Sequence, residues 1–243
     1  MRSGAVENLE SVVMGMPSLL ESRENVRTTF LLAITFLSCL SCLSCAAYAG
    51  EPDPQEIVAQ VLETAGGEEK LLKLFRLRER LLVTKTPAEP VTQDEKGNRT
   101  SVVEVSGDWW IGKAKRDKDK VRVLCWAWSL RLLRDPQSTI QSCHSITVNG
   151  KPAFGLRVTE SVKTPIDLFF DVESKRLIAI DYDDTRHVFS EWKKTPDGRH
   201  YPSHVVGFRF TNRDAGALAS NQWYQTDILE LTPLDELPIE LKR

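Results

Sequence analysis

The sequence predicts an α+β fold: a large curved antiparallel sheet, shaped as a half-open β-barrel, with one or two N-terminal helices packed on its concave face. Three observations predict it. An apolar stripe at helical spacing runs from Ile57 to Ala65. From Arg78 onward the apolar period changes to two, in runs rich in Val, Leu and aromatic residues. Pro, Gly, Asn and Asp separate these runs, and roughly eight to ten strands against one or two helices define the class.

The helix has its own start and stop signals. Asp53 is placed to cap it, Pro54 occupies the first helical position and Glu56 completes a variant capping box. Ile57, Val58, Val61, Leu62 and Ala65 then recur every three or four residues, and Gly66-Gly67 ends the helix. A second short helix is expected from Leu71, Leu72, Leu74 and Phe75, which lie among charged neighbours.

Strands are expected at 78–86, at 101–111 with a break at Gly107, and at 121–128. Residues 129–134 read as a helical turn ended by Asp135-Pro136. The clearest local signal is the hairpin in which 142–148 leads into Asn149-Gly150 and returns through Phe154, Leu156 and Val158. Ile166, Leu168 and Phe170 begin a second hairpin that turns at 171–175 and returns at 177–182. Further strands are expected at 186–193, 203–212 and 221–231.

Residues 1–49 read as a targeting segment rather than as part of this fold. Arg27 precedes a stretch from Thr28 to Ala49 without charge, centred on Phe30 to Leu37. Ala47-Tyr48-Ala49 then matches the small-x-small pattern of a signal peptidase site, which places cleavage between Ala49 and Gly50. Cys39, Cys42 and Cys45 invite a lipoprotein reading, but none has Leu three residues upstream. An uncleaved N-terminal membrane anchor is the alternative, and Met14 and Met16 are alternative starts. The domain expected to fold is 50–243, exported to the periplasm or cell envelope.

A formal net charge of −2 gives no electrostatic footprint for nucleic acid and no polybasic membrane patch. Beyond the leader only Cys125 and Cys143 remain. In an exported domain such a pair suggests a disulfide; two separate buried thiols are the alternative.

Catalytic patterns are not evident. His200 and His204 are four apart, but Pro202 and the apolar residues after it place them on a strand, where that spacing separates them by about 13 Å. Cys143-His144 could supply a nucleophile and a base, yet adjacent strand residues face opposite sides. Asp181, Asp183 and Asp184 lack the Gly-containing register of a calcium loop. No Gly-x-Ser-x-Gly elbow, phosphate loop or His-Glu-x-x-His occurs.

Aromatic residues offer the remaining candidate site. Trp109 and Trp110 should face opposite sides of the sheet, whereas Trp126 and Trp128 on a strand share one face. With Phe154, Leu156, Leu168, Phe170, Phe208 and Phe210 they either fill the core or line an apolar cavity.

Several phrases together resemble the LolA/LolB-like outer-membrane lipoprotein-sorting (lipoprotein carrier) superfamily, in particular its divergent planctomycete-type members. They are the residues from Ala65 to Leu71 after the first helix, the hairpin from Val148 to Val158, the hairpin from Pro165 to Ile178, and Asp197-Gly198 leading through Pro202 into Val206. A Lys175-Arg176 pair stands where the second hairpin of the family usually carries Gly. The resemblance spans nearly the whole of 50–243 and specifies fold more than function. It implies a half-open barrel whose apolar pocket takes acyl chains, hence a non-enzymatic binding protein for a lipid or an acylated protein, with no cofactor and no metal. The alternative is a cell-envelope protein–protein interaction module with a filled core; an envelope hydrolase would need an acid/base cluster that the sequence does not display.

Overall fold

The computed structural model describes residues 53–83, 97, 99–116 and 119–242. The targeting segment and the Ala49–Gly50 cleavage position lie outside these residues. Among the described residues, no helix is long and apolar enough to cross a membrane.

Helix α1 spans Pro54–Thr64. Asp53 accepts a hydrogen bond from the Gln55 backbone amide at 3.0 Å, which satisfies one of the free donors of the first turn. At the other end Gly66 has φ +98°, and the Gly67 amide donates back to Leu62 O at 2.9 Å. That reversal needs a residue that tolerates positive φ. The second helix expected at 71–75 does not form. A 3-10 turn takes Glu68–Lys70 and strand β1 already begins at Leu74, running to Val83.

Ten more strands follow: β2 Arg99–Glu104, β3 Trp109–Ile111, β4 Ala114–Arg116, β5 Thr139–Val148, β6 Lys151–Thr159, β7 Ile166–Asp171, β8 Leu177–Tyr182, β9 Thr185–Lys194, β10 His200–Asn212 and β11 Ala217–Pro233. They form one sheet in the order β4-β3-β2-β1-β11-β10-β9-β8-β7-β6-β5, with antiparallel neighbours throughout. The sheet is a meander from β5 to β11, with β1 laid beside β11. It is curved and half-open, because β4 and β5 are not paired with each other.

The main correction concerns 121–128. Instead of a strand, Asp119–Trp128 forms a second helix, α2, followed by a 3-10 turn at Arg131–Arg134. Val121, Val123, Cys125 and Ala127 alternate as in a strand, but Val121, Leu124, Cys125 and Trp128 also follow the i, i+3, i+4, i+7 rule of a helix. The second pattern prevails, and its stripe faces the sheet.

Alternation divides the apolar residues between the two faces. Ile57, Val58, Val61 and Leu62 of α1 and Trp128 of α2 join Phe75, Leu156, Leu168, Phe170, Ile180 and Ile228 in the main core on the helix-covered face. The opposite face carries smaller clusters, one around Ala153, Phe169, Ala179 and Val188 and another around Val102 and Trp110. Trp109 and Trp110 therefore separate to the two faces as expected.

Candidate functional site

Helix α2 does not pack flush on the sheet. Beneath it lies a cavity of about 660 Å³, within the range of small-molecule sites. Val121, Leu124, Cys125 and Trp128 form its helical wall; Leu77, Leu81, Val103, Trp109, Phe189, Val205, Trp223 and Ile228 contribute most of the apolar sheet side. These come from β1, β2, β3, β9, β10 and β11. The cavity thus lies where the first strands rejoin the last ones, with Tyr182 at the end of β8 at its margin, and not over β5–β7.

Polar groups enter this lining at defined places. Glu79 accepts two bonds from Arg99, 2.8 Å from Nε and 2.9 Å from Nη2, and a third from Ser101 Oγ at 2.9 Å. The Glu79 side chain is 4 % exposed, and the Arg99 guanidinium lies 5.8 Å from the Trp109 ring centre. A buried carboxylate with three donors is a satisfied charge, held rigidly. Deeper in the lining, His187 Nδ1 shares a hydrogen bond with the Tyr224 hydroxyl. Burial holds His187 neutral by lowering its pKa from 6.5 to about 4, and burial likewise pushes the Tyr224 phenol upward.

The exposed rim is charged. Lys120 on α2 pairs with Asp183 in the β8–β9 turn, Arg209 pairs with Asp184, and Arg209 lies 4.5 Å from the Trp223 ring centre. The Lys120 ammonium holds the Asp183 carboxyl below its usual value. This pair ties the start of α2 to the strand edge below it.

Of the eight aromatic and aliphatic residues expected to line a cavity, Trp128 alone does so. Trp126 is half-buried on another side of α2, since two residues on a helix are about 200° apart. Phe154 stacks on Phe170 at 5.6 Å, and Leu156, Leu168 and Phe170 are fully buried in the solid core shared with α1. Phe208 packs with the cluster on the opposite face, and Phe210 lies 5.5 Å from the Arg186 guanidinium there. The residues missed are those on β1, β9 and β11, above all Leu77, Leu81, Trp223 and Ile228. The one sequence signal for the cavity wall was the helical spacing within 121–128.

The cysteines do not pair. Cys125 is a buried free thiol in the cavity wall, whereas Cys143 is a free thiol on β5 that packs against the opposite face. His204 Nδ1 lies 2.7 Å from Asp227 Oδ1, so its ring is engaged by a β11 carboxylate. Asp181 is held by Arg186 through two bonds of 2.7 Å, and Asp183 and Asp184 have the cations named above, so the acidic run at 181–184 is neutralised by side chains. Cys143 and His144, expected on opposite faces, both lie against Phe169. A bulge in β5 puts them there.

No model of a known protein family matches the chain, and no curated protein matches it. A comparison with solved structures finds distant resemblances. A Vibrio parahaemolyticus domain described as an outer membrane lipoprotein-sorting protein is 10 % identical with a TM-score of 0.46, over 79 % of this chain and 100 % of that one. A LolA superfamily protein of Nitrosomonas europaea is 11 % identical with a TM-score of 0.44, over 77 % and 96 % of the two chains. A DUF1329 family protein of Desulfovibrio piger is 10 % identical with a TM-score of 0.43, over 77 % and 96 %.

Proposed function

We propose that this protein is a binding protein of the cell envelope that holds a lipid or the acyl chains of an acylated protein beneath α2. The observation that carries the proposal is the cavity of about 660 Å³, walled by aliphatic and indole side chains and rimmed by Lys120, Asp183, Asp184 and Arg209. A filled core, which an interaction module would require, has no such space. An acyl chain entering it gains ~0.8 kcal/mol per buried methylene. The charged rim keeps a polar headgroup at the surface. Cys125 in the helical wall is held as a thiol by burial, with its pKa pushed up to about 12. Release follows displacement of α2, whose N-terminal end is tied by the exposed, solvent-screened Lys120–Asp183 pair. Export follows from the targeting pattern of residues 1–49.

Trp109, Trp128 and Trp223 line the cavity and report on its contents. Titration with a fatty acid brominated along its chain should quench their emission saturably, and Leu124→Trp, which fills the space from the helix side, should abolish the saturable part. Quenching that is equal in the wild type and in Leu124→Trp would place the acyl chain elsewhere and overturn the assignment.

A further inference from the structure

The face of the sheet turned away from the helices carries a second constellation. Cys143 is opposite Gly155 and Ile146 is opposite Ala153, so three steps along β5 match two along β6. The extra residue is a β-bulge, a device that re-aims side chains. It brings His144 to the same side as Cys143. There the Cys143 sulfur, a His144 ring nitrogen and an Asp167 carboxylate oxygen all lie within 4.8 Å of one another.

We propose that Cys143, His144 and Asp167 bind a single divalent transition-metal ion of the zinc class, independently of the cavity under α2. The donor set points to that class. One sulfur, one imidazole nitrogen and one carboxylate oxygen suit a borderline ion and not the hard cations calcium and magnesium, which take oxygen. Tetrahedral zinc needs donors roughly 3.5 Å apart, set by its bond lengths of about 2.0–2.3 Å.

The surroundings favour the same use. Gly155 forms the floor: a Cβ there would stand 2.4 Å from the Cys143 sulfur and 2.9 Å from the Phe169 ring. Only glycine leaves the thiol its place. Arg157 fixes the third ligand, donating to Asp167 from Nε at 2.7 Å and from Nη2 at 2.8 Å. Each carboxylate oxygen keeps a second lone pair for a metal, and a partner that orients a ligating carboxylate is a regular part of such sites. A Cys143 thiolate and the Asp167 carboxylate bring two negative charges to the ion, one of them shared with Arg157. His144 is exposed, which gives the ion a path from solvent and leaves the fourth position to water.

The test is a titration of the purified, metal-stripped protein with Co²⁺, followed by competition with Zn²⁺. We expect one ion per chain, a thiolate-to-cobalt charge-transfer band in the near ultraviolet, and the visible bands of a tetrahedral site. Cys143→Ser should remove the charge-transfer band. His144→Ala, a change at an exposed position that spares the fold, should weaken Zn²⁺ binding at least about tenfold. Cys125→Ser should leave both readings unchanged. Absence of a thiolate band in wild-type protein of native circular dichroism, or a band that persists in Cys143→Ser, would overturn the proposal.

Discussion

The Tyr224 ring crosses over Gly207 to reach His187. Gly207 of β10 is the cross-strand partner of both residues, His187 on β9 and Tyr224 on β11. A Cβ on Gly207 would stand 1.9 Å from the Tyr224 ring, so the hydrogen bond spans two strand spacings only because the strand between them is bare. Gly207→Ala should displace the ring from the cavity lining and destabilise the fold by about 1–3 kcal/mol, the usual effect of overpacking. Chemical denaturation measures the loss, and an unchanged midpoint would contradict the contact.

His187 gives the pH dependence its sign. Its pKa falls from 6.5 to about 4 through burial, so between these values the unfolded chain binds a proton that the folded chain does not. The contribution is fully present above pH 6.5 and is lost as the pH falls toward 4, by about 3 kcal/mol at most, each pKa unit being ~1.4 kcal/mol. The difference in stability between wild type and His187→Gln, followed by denaturation across this window, should show that slope. Parallel curves would mean that the fold does not shift the His187 pKa.

Glu79 and Arg99 form the buried charge pair of the lining. Removing the carboxylate in Glu79→Ala leaves the guanidinium and Ser101 without their shared acceptor, and should cost about 3 kcal/mol. Arg209→Ala at the exposed rim should change stability by less than about 1 kcal/mol. The contrast between the two, read in the same denaturation series, tests which charges are structural.

The thiols supply a covalent check. Alkylation of the unfolded protein without reductant should label Cys125 and Cys143 separately, since they lie in different clusters on opposite faces. A peptide pair joined through these two residues would contradict the packing described for α2 and β5.

The sheet was legible in the sequence because turn chemistry marks it. Asn149 and Gly150 both take positive φ between β5 and β6, as the favoured hairpin pair must. Alternation also placed Phe154, Leu156, Leu168 and Phe170 on one face correctly. Their role was misread, because α1 covers that part of the face and fills it. Residues 121–128 failed for a physical reason: Val121, Val123, Cys125 and Ala127 alternate as in a strand while Val121, Leu124, Cys125 and Trp128 recur as in a helix, and only the sheet beneath decides between them. The bulge at Cys143–Ile146 was illegible because no Gly or Pro announces it, so His144 was sent to the wrong face. The cavity itself depends on β1 meeting β11, a contact across most of the chain that no local pattern encodes.

The most direct test is native mass spectrometry of the protein isolated from its own envelope fraction, before and after extraction with organic solvent. The account predicts an extra mass of one lipid-class molecule per chain, removed by extraction, regained on incubation with lipid, and absent from Leu124→Trp. A wild-type protein that carries no such mass and takes up none on titration would contradict it.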